Sequence, residues 1–147
     1  MSSSLGCKID RVEMRGITLQ QLERLLAEVE DKCKKREMTY RTSDAEESLL
    51  VDNVTFHNIM DNIIIPRTRE KKKYSYIETI ATSEQKTTWC VVFSLDQSFK
   101  DIVTVLKQHS KDRQLKSNDY YWMHVRIDDN RFFSLFLFVI PFIKYLF

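Results

Sequence analysis

Glycine and proline are scarce, two of each in 147 residues. So few chain breakers exclude a many-turned β-sandwich and favour long regular elements in an α-rich or α/β fold. Cysteine is also sparse and odd in number. Cys7, Cys33 and Cys90 lie far apart and share no metal-ligand spacing, which argues against a disulfide framework or a zinc ribbon and fits reduced thiols in a cytoplasmic setting. Charge of one sign is missing as well. Against 23 Lys and Arg stand 21 Asp and Glu, leaving a formal net charge of +2, too small to imply a nucleic-acid or membrane partner by itself. The first nine residues contain Ser2, Ser3 and Ser4 and no apolar run, so the core of a secretory signal is lacking.

What is present suits one folded core. The composition, 43% hydrophobic and 30% charged, is that of a globular chain rather than a disordered one. We divide it into an N-terminal extension (1–16), an α/β domain (17–130) and a Phe-rich apolar tail (131–147). Thr18 and Gln21 have capping-box spacing, and Leu19, Leu22, Leu25, Leu26, Val29 and Cys33 recur at helical intervals. An amphipathic helix is expected from Thr18 to about Arg36. From Glu37 to Asn53 the pattern fades into a connecting segment with at most a short helical turn at 45–50. Thr55 can cap a second helix with Phe56, Ile59, Met60, Ile63 and Ile64 inside, which Pro66 should stop. A basic loop follows, and then a short helix to about Ala81 on Tyr74, Tyr76, Ile77 and Ile80.

The run Trp89-Cys-Val-Val-Phe-Ser-Leu95 is apolar and rich in β-formers. It reads as a strand buried on both faces, with Cys90 an inert core thiol. Ser98 with Asp101 opens a helix with Phe99, Ile102, Val103, Leu106 and His109 on its inner face, ending near Arg113. After a polar turn at 116–119, Tyr121 to Ile127 reads as a second strand. The two strands should be parallel neighbours in a strand-helix-strand unit.

In open parallel sheets, ligands bind beyond the carboxyl ends of the strands. That rule selects Ser94, Asp96 and Gln97 after the first strand and Asp128, Asp129 and Asn130 after the second as candidate ligand-binding residues. The three carboxylates could hold Mg²⁺ or orient a sugar hydroxyl, while the plainer account is that strands end in turn-forming Asp and Asn. No Gly-rich phosphate loop accompanies them. Arg67, Arg69, Lys71, Lys72 and Lys73 form a weaker candidate, a basic loop for an anionic surface; with no second basic stripe or stacking motif, nucleic acid is not expected as a partner. His57, His109 and His124 fall on separate elements without a nucleophile beside them. No catalytic residue, metal ligand or cofactor is assigned.

Asp61 to Pro66, Ser75-Tyr-Ile-Glu78, Thr88-Trp89, Leu106-Lys-Gln-His109, Asp112-Arg113 and Tyr121-Trp122 together resemble an uncharacterised family from microbial eukaryotes. Its first strand reads roughly Trp-Phe-Val-Ser-His-Trp-Trp-Gly, and it is distantly similar to Toll/interleukin-receptor-type α/β domains. The resemblance covers about residues 17–130 and implies an α/β scaffold. Where the family has Ser-His-Trp-Trp-Gly this chain has Val92-Phe-Ser-Leu-Asp96, so no role of that Ser or His carries over. A degenerate or truncated, non-enzymatic copy of a larger α/β domain is implied.

Residues 132–147 hold six of the nine phenylalanines. As a helix they would span about 24 Å, short of the roughly 30 Å hydrocarbon core. Three readings stand: a short membrane anchor, a core element completing the sheet, or a product of truncation. The expectation is therefore a small α/β protein with a partly truncated parallel sheet, acting as a non-catalytic binding or interaction module with a protein partner. The alternatives are a hydrolase or nucleotide-processing enzyme at the acidic strand ends, and a tail-anchored membrane protein with a cytosolic domain.

Overall fold

The first α-helix begins where the sequence places a clear start signal. Thr18 caps α1 (Leu19–Lys34) by accepting from the Gln21 N–H at 3.0 Å, and the Gln21 side chain accepts the Thr18 N–H at 3.0 Å. This computed structural model describes residues 6–70, 74–128 and 131–134, excepting the side chains of residues 70, 124–128 and 131–134. The chain continues as an antiparallel hairpin of β1 (Thr39–Arg41) and β2 (Glu46–Ser48), α2 (Phe56–Ile59), a wider π-helical turn (Met60–Ile64), α3 (Ile65–Glu70) and α4 (Tyr76–Ile80). It then forms β3 (Trp89–Ser94), α5 (Phe99–Asp112), β4 (Tyr121–Asp128) and β5 (Arg131–Ser134).

The strand-helix-strand unit is present. β3 and β4 pair in parallel from Trp89 opposite Tyr121 to Ser94 opposite Arg126. β5 returns antiparallel on β4, with Val125 opposite Phe133 and Asp128 opposite Arg131, so the first residues of the apolar tail form a sheet strand. Positions 135–147, on which the anchor and truncation readings turn, lie outside the described residues, as do 71–73, 129 and 130. Helices α1 and α5 pack on each other. Their inner rows, Leu22, Leu25 and Val29 with Phe99, Ile102, Val103 and Leu106, join Phe56, Ile59, Ile64, Ile77, Tyr121 and Met123 in one core.

With so few glycines, the long helices end without one. Arg36 follows α1 at φ 59° and Gln114 follows α5 at φ 52°, left-handed positions where glycine is ordinarily favoured. Both ends still close fully. After α1, Arg36 N–H donates to Cys33 O and Glu37 N–H to Lys32 O, at 3.1 and 2.8 Å; after α5, Gln114 N–H donates to Lys111 O and Leu115 N–H to Ser110 O, at 3.2 and 2.9 Å. Gly16 is irreplaceable for another reason: a Cβ there would lie 2.7 Å from Tyr120 Cβ and 3.0 Å from Gln85 O.

Four expectations are corrected. Residues 37–53 contain the β1–β2 hairpin rather than a helical turn at 45–50. Its strands escaped notice because they are polar and exposed on almost every side chain. Pro66 does not stop the second helix. The π-helical turn shifts the backbone bonding so that Ile65 N–H reaches Met60 O, and Pro66 falls at the second residue of α3, where its missing N–H is tolerated. Accordingly Arg67 and Arg69 lie on a helix, not in a loop. Finally, β3 is covered on one face only: Phe93 is buried and Trp89 and Val91 half-buried, whereas Cys90, Val92 and Ser94 are exposed. Cys90 is not a core thiol, although partial burial still raises its pKa.

Candidate functional site

The carboxyl ends of β3 and β4 meet as the topology requires, since Ser94 is opposite Arg126. After β3 the chain turns at once, Gln97 N–H donating to Ser94 O at 3.2 Å, and Ser98 caps α5 through the Asp101 N–H. The start of α2 lies beside this turn: Phe99 N–H donates to Val54 O at 2.9 Å, and Thr55 bridges to Ser98. Beneath lies an aromatic floor, Phe56 packing on Phe93 and Phe99 at centroid distances of 5.3 and 5.9 Å. Ser94, Asp96 and Gln97 are exposed on this rim. Asp128 ends β4 opposite Arg131 of β5, and the candidates Asp129 and Asn130 lie outside the described residues. Among the described residues no group of three His, Cys, Asp or Glu side chains is placed to hold a metal ion.

A second concavity lies at the opposite end of β4. This cleft of about 260 Å³ is lined by Thr18 and Glu23 of α1, Ser110 of α5, Lys116 and Asp119 of the following turn, and Tyr121. Tyr121 is buried, and its hydroxyl sits 3.1 Å from His109 Nδ1. His109 also meets the edge of Trp89 at 4.7 Å between centroids. Burial, with Asp119 adding to it, raises the Tyr121 pKa. His109 is thus packed between two aromatic rings in the last turn of α5. His57 faces Asp61 one turn along its helix at 3.6 Å.

The basic candidates separate. Arg67 donates through Nη2 to both carboxylate oxygens of Glu28 on α1, at 2.7 and 2.9 Å, and stacks over Tyr76 at 5.6 Å from the ring centroid. It joins α1 to α3, and a guanidinium engaged in this way is poorly placed to recruit an external anion. Arg69 is exposed. Lys71, Lys72 and Lys73 lie outside the described residues. Tyr76 itself is buried, and burial, against the pull of Arg67, pushes its phenol up to about 12.

No family model, curated protein or solved structure matches this chain. Function must therefore be argued from the arrangement of its own side chains.

Sequence reasoning missed the buried polar groups. Glu78 is fully buried at the first turn of α4, where it accepts Ser75 N–H at 2.7 Å and Ile9 N–H at 2.8 Å and faces Arg15 at 3.5 Å. Arg15 in turn donates through Nε to Ile9 O at 2.8 Å. Gln85, also buried, donates to Gly16 O at 2.6 Å and exchanges hydrogen bonds with the Gln21 side chain. Asn62, in the π-helical turn, donates to Thr39 O at 3.0 Å and accepts Thr39 N–H at 3.3 Å, pairing with β1 as a strand would. The spacing Ser75-x-x-Glu78 is a readable signal for a capping box. Its partners in the N-terminal segment, 69 residues away at Ile9, left none.

Proposed function

We propose that the protein is a non-catalytic binding or interaction module on an α/β scaffold, and that its sheet is a shortened form of a larger parallel one. The observation that supports this reading best is the state of β3. It is the first strand in the order β3-β4-β5, and its uncovered row runs Cys90, Val92, Ser94, with Val92 54% exposed. A strand with apolar residues on a solvent face and no charge along Trp89–Ser94 lacks the usual safeguards against association. The buried polar groups support the reading from the other side. Glu78 and Gln85 bond to neighbouring backbone and to Arg15 and Gln21, which is scaffold work.

The test is site-specific photocrosslinking in the native cell, with the crosslinker at position 92 and, as control, at exposed Lys86. The expected result is one discrete protein adduct from position 92, absent from position 86 and lost when Ser94→Arg is added. No discrete adduct, or equal adducts from both positions, overturns the proposal.

A second reading is supported by the register that sets the two strand ends side by side: a nucleotide-processing or hydrolytic site using Asp96 and Asp128. Calorimetry with Mg²⁺ and a nucleoside triphosphate discriminates. Heat lost in the Asp96→Ala, Asp128→Ala double variant would favour the enzyme, and flat titrations of the unaltered protein would remove it.

A further inference from the structure

We infer that Ser43, at the tip of the β1–β2 hairpin, is a phosphorylation site for an acid-directed serine/threonine kinase. The inference does not depend on the interaction surface proposed above. It begins with the sequence of the tip, Arg41-Thr-Ser-Asp-Ala-Glu-Glu-Ser48. The acceptor Ser43 is followed by carboxylates one, three and four positions later, at Asp44, Glu46 and Glu47. A kinase whose peptide groove is basic selects serines followed by acids, because the charges fix the register of the peptide and exclude basic competitors.

The structure supplies the accessibility that a motif alone does not. Every residue from Arg41 to Ser48 is exposed. Among the described residues, the hydrogen bonds that tie the hairpin to the rest of the fold lie at its base. There Leu49 N–H donates to Met38 O at 2.9 Å, the Met38 and Leu49 side chains are buried, and Asn62 pairs with Thr39. Beyond that anchor the tip is exposed throughout.

The geometry also selects between the two adjacent hydroxyls. Thr42 is occupied by the turn: its Oγ1 donates to Ala45 O at 2.9 Å and accepts Ala45 N–H at 3.1 Å. Ser43 stands at the bend and makes no hydrogen bond among the described residues. Glu46 and Glu47 accept from Thr39 Oγ1 and the Tyr40 hydroxyl, both at 2.6 Å, across the hairpin. These contacts hold both carboxylates on the exposed ribbon.

In the reaction Ser43 Oγ attacks the γ-phosphorus of a Mg²⁺-bound nucleoside triphosphate. The new Oγ–P bond replaces the bond to the leaving nucleoside diphosphate, the hydroxyl proton passes to the kinase's base, and nothing is oxidised or reduced. The product adds roughly 1.5 to 2 negative charges to a turn that already carries three carboxylates, making the tip a strongly anionic patch.

The test incubates the full chain with Mg-ATP and an acid-directed serine/threonine kinase, in parallel with a base-directed one, and maps the phosphate by mass spectrometry. One phosphate on Ser43 from the acid-directed enzyme is expected. Ser43→Ala should lower incorporation at least tenfold. Asp44→Asn with Glu46→Gln and Glu47→Gln, which keeps the acceptor, should slow it by a similar factor, with an unchanged circular dichroism spectrum confirming the fold. Phosphate mapped to Thr42, incorporation unaffected by either variant, or none in the unaltered protein while an acidic control peptide is labelled, would each overturn the assignment.

Discussion

Removing the Glu78 carboxylate should destabilise the protein more than almost any other single polar substitution. Its side chain is 1% exposed and faces the Arg15 guanidinium, itself 11% exposed. In Glu78→Ala, Ser75 N–H and Ile9 N–H lose an acceptor inside the protein. Each such orphaned group costs about 1–3 kcal/mol. Arg15 keeps its bonds to Ile9 O but loses the opposing charge, and breaking one partner of a buried pair costs about 3–5 kcal/mol overall. These figures describe overlapping losses and do not add, so we expect about 4 kcal/mol for Glu78→Ala. Glu78→Gln keeps one oxygen acceptor but sets an amide against a backbone N–H or the guanidinium, and about 2 kcal/mol is expected there. Urea unfolding of both variants measures the difference. Amide exchange should locate it, with Ile9 and Ser75 accelerated well before the centre of α5. A loss below about 1 kcal/mol in Glu78→Ala, at an unchanged denaturant slope, would mean that water replaces the carboxylate and that the N-terminal segment is not fastened here.

Two further outcomes rest on Tyr76 and on the two helix ends. Tyr76, raised to about 12 by burial, keeps its proton in the folded state after the unfolded chain has lost it. Its contribution is therefore complete below pH 10 and fades between pH 10 and about 12 at up to roughly 1.4 kcal/mol per pH unit, and absorbance titration near 295 nm should show one tyrosine ionising last, absent in Tyr76→Phe. Gln114→Gly and Arg36→Gly should each stabilise by about 0.5–1 kcal/mol, because both residues hold left-handed backbone after a helix where a Cβ is unfavourable; thermal melts that show either variant less stable would refute this.

The legible parts of the sequence were those in which a local rule and the tertiary structure ask for the same thing. α1 and α5 combine an apolar stripe with a cap, and both appear within two residues of their expected limits. The parallel β3–β4 pair followed from a helix of ordinary length between two β-rich runs. Legibility failed where side chains far apart in sequence decide the backbone. Thr39–Arg41 looks like a polar connection because what holds it as a strand is partly Asn62, 23 residues later. Pro66 looks like a stop because its accommodation depends on a π-helical turn that no apolar spacing announces. The run Trp89–Ser94 showed that a strand was present but not which row of it was covered, since Cys90 and Val92 are as apolar as Val91 and Phe93. At the candidate site, the juxtaposition of Ser94 and the end of β4 was legible from topology. The tie between Arg67 and Glu28 was not, and it removes a cation from the proposed basic surface.

These failures have a common physical origin, which also explains how a chain with two glycines and two prolines makes so many changes of direction. A segment between regular elements must satisfy its backbone N–H and C=O groups somewhere. Where turn residues are scarce, side-chain amides and carboxylates can do what a neighbouring strand would otherwise do. Asn62 offers Thr39 both a donor and an acceptor, Gln85 donates to Gly16 O, and Glu78 accepts from Ile9 and Ser75. Each replaces part of a ladder with one side chain anchored on a helix or a buried turn. Buried Glu78 and Gln85 thus act as joints between segments far apart in the sequence. Among the described residues, the exposed row of β3, the rim at Ser94 to Gln97 and the exposed hairpin tip are where the proposals made above direct the search for partners and modifying enzymes.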